Sequence, residues 1–186
     1  IFRSTIAMEG FGYGCRDNGL PFGLNAQMWT VQYPIHVFGT EEQKQKFLPK
    51  LASGEWIGCH ALTEPNSGSD VFSMETTAEK VDGGYIINGT KRYITFAPVS
   101  DLVLLSLKTN PKLGQWGMSV FMVEKATKGL TLGPNQAKMG LRTIPCRGGP
   151  RSRPSPWDAS GRRPREGLCG ACTSADAPPG TALPGS

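Results

Sequence analysis

A short polar segment in the first half of the chain has the residues needed to bind a negatively charged or carbonyl-rich ligand. It runs from Leu62 to Asp70 and reads Leu-Thr-Glu-Pro-Asn-Ser-Gly-Ser-Asp. Pro65 fixes its own backbone and pushes Glu64 towards an extended conformation, which favours a loop. Gly68 allows a close approach of the backbone to a ligand, and the hydroxyl side chains and exposed N–H groups around it can donate hydrogen bonds. The same residue types also build ordinary turns, so the segment by itself leaves both interpretations open.

A second motif, Lys91-Arg92-Tyr93-Ile94-Thr95, follows further along the chain. Tyr93 offers a flat apolar ring and Thr95 a hydroxyl. The alternation of side chains predicts a β-strand from Arg92 to Phe96. A strand can also serve as the wall of a ligand site, because alternate side chains face the same side. Two motifs in this order favour a binding loop over a simple turn.

Together the two motifs resemble the flavin-binding signature of the acyl-CoA dehydrogenases. Upstream, residues 38–55 are similar to the helix and loop that lead into that family's central domain. Downstream, the segment Lys-Met-Gly-Leu-Arg at 138–142 is similar to the one that closes this domain. The four signals occur in the family's order, and the resemblance extends from residue 1 to residue 143.

The resemblance implies FAD as the cofactor and assigns roles to particular residues. Thr63 and Ser69 are expected to hydrogen-bond the flavin, and Ser69 is also expected to contact the substrate. Tyr93 is expected to lie against the isoalloxazine, where many members have tryptophan, and the Thr95 hydroxyl to reach towards its N5 atom. The complete set of expected cofactor-binding residues is Leu62, Thr63, Gly68, Ser69, Tyr93 and Thr95.

The same resemblance implies an oxidoreductase that dehydrogenates an acyl thioester, such as an acyl-CoA, between its α and β carbons. Electrons would then pass to an electron-transfer flavoprotein. The family's catalytic base is a glutamate of the C-terminal helical domain, which has no counterpart in this sequence, so we assign no catalytic residue. Glu64 and Asp70 lie in the flavin loop and are not assigned as the base. That domain also forms the family's homotetramer. Because both the base and this domain have no counterpart in the sequence, we expect an incomplete chain that is inactive by itself.

Histidine and cysteine chemistry is not predicted. His36 and His60 are the only histidines, and we assign neither a catalytic role, although the resemblance implies that His60 lies near the flavin, where relatives often carry an aromatic or a small residue. Cys169 and Cys172 form a C-x-x-C pair, but no second ligand pair accompanies it. We therefore predict no metal site.

The order of elements predicts an α+β fold in three parts. A helical N-terminal remnant, residues 1–54, is expected to pack on an antiparallel β-barrel-like flavin-binding domain, residues 55–143, and a disordered tail follows at 144–186. A capping box at Thr40 and Gln43 predicts a helix over 41–51. Two apolar stripes at helical spacing precede it, one of Ile6, Gly10, Tyr13 and Gly14 and one of Met28, Val31, Ile35 and Phe38. Strands are predicted at 56–62, 74–81, 85–87, 92–96, 102–107, 118–123 and 129–132, with a hairpin turn at 82–84.

The tail differs in composition from the rest of the chain. All lysines lie before residue 139, whereas six of the ten arginines, eight prolines and seven glycines lie in 145–186. Such a segment lacks the apolar periodicity needed to offset its ordering entropy. We interpret it as an out-of-frame reading of a G+C-rich gene or as a truncated gene product.

The charge and hydropathy of the chain limit the classes of partner that it is expected to have. The formal net charge is +5, but the arginines of the tail contribute much of it, so no nucleic-acid partner is predicted. No apolar run is long enough to predict a transmembrane helix. The expected location is the cytoplasm, or the mitochondrial matrix if a targeting segment preceded Ile1.

Alternative functions stay open on these residues. Proteins with the same fold act as nitroalkane oxidases or flavin-dependent monooxygenases, or oxidise thioesters on carrier proteins. A different class of function is a non-catalytic partner of a full-length dehydrogenase.

Overall fold

The first part of the chain is helical and the second part forms a sheet. The computed structural model describes residues 2–82, 84–133, 135–141 and 144, so all but the first residue of the predicted tail lies outside the described residues. The helices are α1 (Phe2–Gly14), α2 (Gly19–Gln27), a π-helical turn (Met28–Gln32), α3 (Tyr33–Phe38) and α4 (Glu41–Ser53). The strands are β1 (Gly58–Ala61), β2 (Thr77–Val81), β3 (Gly84–Asn88), β4 (Leu102–Lys108) and β5 (Met118–Glu124). Short 3₁₀ helices cover Val71–Ser73, Ala97–Val99 and Pro111–Gly117.

Helix α4 begins at the predicted capping box. The Thr40 hydroxyl accepts a hydrogen bond from the Gln43 backbone N–H at 3.3 Å, and the Thr40 N–H donates to the Gln43 side-chain oxygen at 2.8 Å. Both bonds satisfy N–H groups that the first turn of a helix leaves unpaired. Gly54, in the left-handed conformation with a φ of 79°, ends the helix. The prediction of a helix here is confirmed, and the helix extends two residues past the predicted end.

The helices pack on one face of the sheet. Val31, Ile35, Phe47 and Leu51 form a buried cluster with Leu102 and Leu104 of β4 and Met122 of β5. The contact is close, because a Cβ added to Gly58 of β1 would lie 2.6 Å from Val31 Cγ1. The second predicted stripe is therefore buried at its centre, while Phe38 at its end is 78% exposed. The stripe predicted for α1 is not a buried face, since Ile6 and Tyr13 are exposed.

Strand β4 is the centre of the sheet. It pairs with β1 in parallel, from Gly58↔Leu102 to Ala61↔Leu105, and with β2 in parallel at Thr77↔Lys108. On its other side β5 runs antiparallel, from Leu102↔Glu124 to Lys108↔Met118. The hairpin of β2 and β3 was predicted and is confirmed, with Val81↔Gly84 at its closed end.

The α+β class is confirmed, but the sheet is mixed and open rather than antiparallel and barrel-like. Its order is β1-β4-β2-β3, with β5 beside β4, and this path does not close in the part of the chain that the structure describes. The physical reason is the long connection between β1 and β4. It contains the hairpin and two loops, so the chain returns beside β1 in the same direction, as a parallel pair requires.

Two predicted strands are wrong. Residues 92–96 form a loop, because Tyr93 and Phe96 have left-handed backbones with φ of 59° and 66°, which an extended strand excludes. Residues 129–132 contain a turn at Gly129, with a φ of 88°, and no strand. The loop of the second motif is nevertheless fixed, since Ile94 is buried in the cluster that β1, β4 and β5 form on the face opposite the helices. No helix among the described residues has the length and apolar character needed to cross a bilayer.

Candidate functional site

The first motif forms a compact loop at the carboxyl end of β1, here called the first loop (residues 62–70). Glu64 and Ser67 exchange both backbone hydrogen bonds, at 2.8 and 3.3 Å, so Pro65 and Asn66 form a tight turn between them. The Ser67 hydroxyl donates to the Asp70 carbonyl at 2.7 Å. The Asp70 carboxylate accepts from the Phe72 N–H at 3.2 Å, which caps the following 3₁₀ helix. Asp70 therefore has a structural role in the loop.

The second motif begins the second loop (residues 91–96), which lies directly beside the first. The Arg92 N–H donates to the Thr63 carbonyl at 2.8 Å. The Lys91 ammonium donates to the Leu62 carbonyl at 2.9 Å and to the Glu64 carboxylate at 2.7 Å. Two segments almost thirty residues apart in the sequence are thus joined by three hydrogen bonds.

Glu64 and Lys91 form a buried ion pair between the loops. Their side chains are 4% and 0% exposed, and Lys91 Nζ lies 2.7 Å from Glu64 Oε1. The carboxylate also accepts from the backbone N–H groups of Glu75 at 2.6 Å and Thr76 at 3.1 Å. A buried charge requires this many partners, because an unpaired one would be very costly.

The surroundings shift the pKa of both groups. Burial alone would raise the pKa of Glu64, but hydrogen bonds from Lys91, Thr76 and the Glu75 N–H outweigh it and hold the pKa below its ordinary value. Burial lowers the pKa of Lys91, against the opposing effect of Glu64. Three separate donors converge on the Glu64 carboxylate and favour its ionised form.

His60 precedes the first loop and is also largely buried. Its Nε2 atom is hydrogen-bonded to the Ser106 hydroxyl at 3.0 Å. Burial, followed by the nearby positive charge of Lys91, lowers the pKa of His60. The imidazole is therefore neutral near pH 7 and engaged with a neighbouring strand. His36 is exposed in the last turn of α3. Among the described residues no group of three or more His, Cys, Asp and Glu side chains could hold a metal ion.

The second loop presents an aromatic ring and then passes to the helices. Tyr93 is 52% exposed, and the Arg92 guanidinium lies 4.9 Å from the centre of its ring. The Nε atom of Arg92 is buried without a hydrogen-bond partner among the described residues. The Phe96 ring packs on α2, where a Cβ added to Gly23 would lie 2.5 Å from Phe96 Cζ. The loop therefore contacts the first loop at one end and the helical part at the other.

Among the contacts described, two of the four predicted site residues of the first loop are hydrogen-bonded to the second loop. Leu62 and Thr63 are in direct contact with the start of the second loop, and Tyr93 follows one residue later. Thr63 and Thr95 are partly buried. Gly68 and Ser69 are exposed at the far end of the first loop, and no hydrogen bond joins them to Tyr93 or Thr95 among the contacts described.

Sequence reasoning missed the Glu64–Lys91 pair, the His60–Ser106 contact and the packing of Phe96 on Gly23. One signal for the first was present, since the first motif contains two acidic residues, Glu64 and Asp70, and the second motif begins with two basic ones. No local signal points to Ser106, which lies in an apolar strand. Nor does any rule of local sequence predict that a phenylalanine adopts a left-handed backbone.

Comparison with known proteins places this geometry in context. Residues 1–55 match the N-terminal domain of acyl-CoA dehydrogenases, and residues 59–148 match the middle domain. The chain is 43% identical over 142 residues to an L-prolyl-[peptidyl-carrier protein] dehydrogenase of Serratia sp. (strain ATCC 39006), covering 76% of this chain and 37% of that protein. It is 49% identical over 108 residues to an acyl-CoA dehydrogenase of Bacillus subtilis (strain 168), covering 58% and 28%.

A solved structure, PigA with FAD and proline, has a TM-score of 0.73 and 42% sequence identity, and the match covers 75% of this chain and 37% of that one. The chain thus spans a little over a third of the length of the relatives that it matches.

Proposed function

Because the chain belongs to the acyl-CoA dehydrogenase family, we propose that it is part of an FAD-dependent oxidoreductase that dehydrogenates an acyl thioester, and that its two loops bind the flavin. The observation that carries the proposal is the contact between the loops. The Thr63 carbonyl and the Arg92 N–H lie 2.8 Å apart, which places a hydroxyl-rich loop beside an exposed aromatic ring.

The chemistry of these side chains fits a flavin ring, which is flat and apolar on its faces and polar along its edge. Tyr93 offers an exposed aromatic surface for a face. The hydroxyls of Thr63, Ser69 and Thr95 can donate to the polar edge. At Gly68 an added Cβ would have no neighbour within 4 Å, so space for a ligand exists at the loop.

We assign the residues of this chain to binding and orientation. Thr63, Ser69 and Thr95 would fix the flavin edge, and Tyr93 would hold one face and exclude water from it. When bound, FAD would supply the acceptor for the hydride that leaves the β carbon of the thioester. Ser69, at the exposed end of the first loop, would contact the substrate.

No described carboxylate at this site is placed to remove a proton from the substrate. Glu64 is buried in its ion pair, and Asp70 caps a 3₁₀ helix. His60 is hydrogen-bonded to Ser106. We therefore propose that turnover requires a base from a further part of the protein, and that this chain by itself binds FAD without oxidising an acyl thioester. Electron-transfer flavoprotein is the proposed electron acceptor of the whole enzyme.

A prolyl thioester on a carrier protein is a second candidate substrate. It is favoured by the 43% identity to an L-prolyl-[peptidyl-carrier protein] dehydrogenase and by the likeness to PigA with FAD and proline. A full-length protein that contains this chain can be assayed with prolyl carrier protein and with acyl-CoA in parallel. Oxidation of acyl-CoA alone would exclude this second candidate.

Binding of FAD to the chain is the direct test of the proposal. We expect quenching of flavin fluorescence on titration, with weak affinity because the match covers only 37% of the relative's length. Thr95→Val removes one hydroxyl at nearly constant volume and should weaken binding about tenfold, which corresponds to one hydrogen bond of about 1.4 kcal/mol. Thr30→Val, on an exposed helical surface, is the matched control. Absence of quenching in the wild-type chain, or equal affinity of both variants, would refute the assignment.

A further inference from the structure

We propose that Glu64 and Lys91 are positioning residues, and that their buried ion pair sets the spacing between the two loops that carry the flavin contacts. This proposal rests on the proposed function, which assigns the flavin contacts to the two loops. The contacts that support it are independent of that function.

Lys91 joins the two loops through one ammonium group. Its Nζ atom donates to the Leu62 carbonyl at 2.9 Å and to Glu64 Oε1 at 2.7 Å. Both acceptors belong to the first loop, and the next residue, Arg92, donates its N–H to Thr63. The first two residues of the second loop are therefore bonded to three consecutive residues of the first loop.

Glu64 extends this connection to a third segment. Its carboxylate accepts from the N–H groups of Glu75 and Thr76, just before β2. The Thr76 carbonyl in turn accepts from the Lys108 N–H at 2.8 Å, at the end of the central strand. One carboxylate thus ties both loops to the most buried strand of the sheet.

Stability alone does not explain why a charged pair occupies this place. Replacing a buried ion pair by apolar side chains of similar volume is often neutral or stabilising, because the desolvation of two charges is avoided. Apolar side chains would fill the space, but they cannot fix the position of a carbonyl as a directional hydrogen bond does. In the sequence, Thr63 directly precedes Glu64 on the first loop, and Tyr93 follows Lys91 by two residues on the second loop. A change of spacing would therefore move the proposed flavin contacts.

The double variant Glu64→Leu, Lys91→Met separates positioning from stability. It removes both charges and keeps the volume, but it leaves the Leu62 carbonyl and the Glu75 and Thr76 N–H groups without these partners, so the thermal midpoint should fall, and the folded state is compared well below it. The Arg92 N–H should exchange with solvent about tenfold faster, since its bond to Thr63 is no longer held by the pair. The FAD dissociation constant, from fluorescence titration of the same chain, should rise about tenfold.

The matched control is Lys46→Met, Glu124→Leu. This pair has the same 2.7 Å separation and joins α4 to β5, but it lies outside both loops and is partly exposed. We expect neither Arg92 exchange nor FAD affinity to change. If the Glu64→Leu, Lys91→Met variant fails to fold, Glu64→Gln keeps the size and an acceptor oxygen, and faster Arg92 exchange is expected there too.

The outcomes distinguish the two proposals. Wild-type exchange at Arg92 together with wild-type FAD affinity in the folded double variant would show that the pair only contributes to stability. A wild-type chain that does not bind FAD would refute the proposed function, while Arg92 exchange would still decide whether the pair sets the loop spacing.

Discussion

Replacing Gly23 by alanine should destabilise the protein, although alanine is the better helix former. Gly23 lies inside α2 and is buried against the second loop. A Cβ at this position would lie 2.5 Å from Phe96 Cζ, 3.3 Å from Phe96 Cε2 and 3.5 Å from Ile144 Cδ1. Carbon atoms in favourable contact are about 3.5–4.0 Å apart, so the ring would have to withdraw by about 1 Å.

The magnitude follows from two opposing effects. Alanine in place of a helical glycine gains about 1 kcal/mol. Overpacking of a filled interior costs about 1–3 kcal/mol. The ring has little freedom to withdraw, because Phe96 already has a left-handed backbone with a φ of 66° and the next residue, Ala97, is fully buried. We therefore expect a net loss of about 1 kcal/mol in the free energy of unfolding.

Chemical denaturation of four variants measures the effect. Gly23→Ala, Phe96→Leu and the double variant form a cycle with the wild type, in which the coupling energy should be about 1–2 kcal/mol. In the Phe96→Leu background, Gly23→Ala should stabilise the protein, since only the helical preference is then left. Gly10→Ala in α1 is the matched control, because an added Cβ there has no neighbour within 4 Å, and it should not destabilise.

A stabilising effect of Gly23→Ala in the wild-type background would refute the reasoning. It would mean that the Phe96 ring moves freely and does not connect the second loop to α2. A coupling energy close to zero would lead to the same conclusion.

Three further predictions test other parts of the molecule. The pKa of Glu64 in the folded protein lies below its ordinary value, so its stabilising effect is fully present above the ordinary pKa and is lost as the pH falls through the folded pKa; the difference in unfolding free energy between wild type and Glu64→Gln should shrink on acidification, and a constant difference would contradict this. Thr40→Ala should cost about 1 kcal/mol in denaturant unfolding through loss of the capping box, and no loss would show that the cap is not formed in solution. Burial raises the pKa of the Cys59 thiol to about 12, so peptide mapping after alkylation of the native protein should find Cys15 modified and Cys59 intact, and equal labelling of the two would overturn that prediction.

Local sequence determined those features whose causes lie within a few residues of one another. The capping box of Thr40 and Gln43 predicts the start of α4, because both bonds are made inside one helical turn. The glycines and the alternating residues around 82–84 predict the hairpin of β2 and β3. Residue types and order also identify the two motif loops and, through them, the family.

Only the tertiary structure decided which distant segments meet. The parallel pairing of β1 with β4 depends on residues 44 positions apart, such as Gly58 and Leu102, and antiparallel pairing would satisfy the same apolar pattern. In the same way Glu64 and Lys91, 27 residues apart, become partners only when both loops are fixed at the sheet.

The second loop shows the physical reason most clearly. Its alternation predicts a strand, yet the loop buries Ile94 in the core and packs Phe96 both against that core and against Gly23 of α2. Left-handed conformations at Tyr93 and Phe96 are the consequence. A local preference of about 1 kcal/mol is overridden when several buried contacts require another backbone, and those contacts exist only in the folded protein.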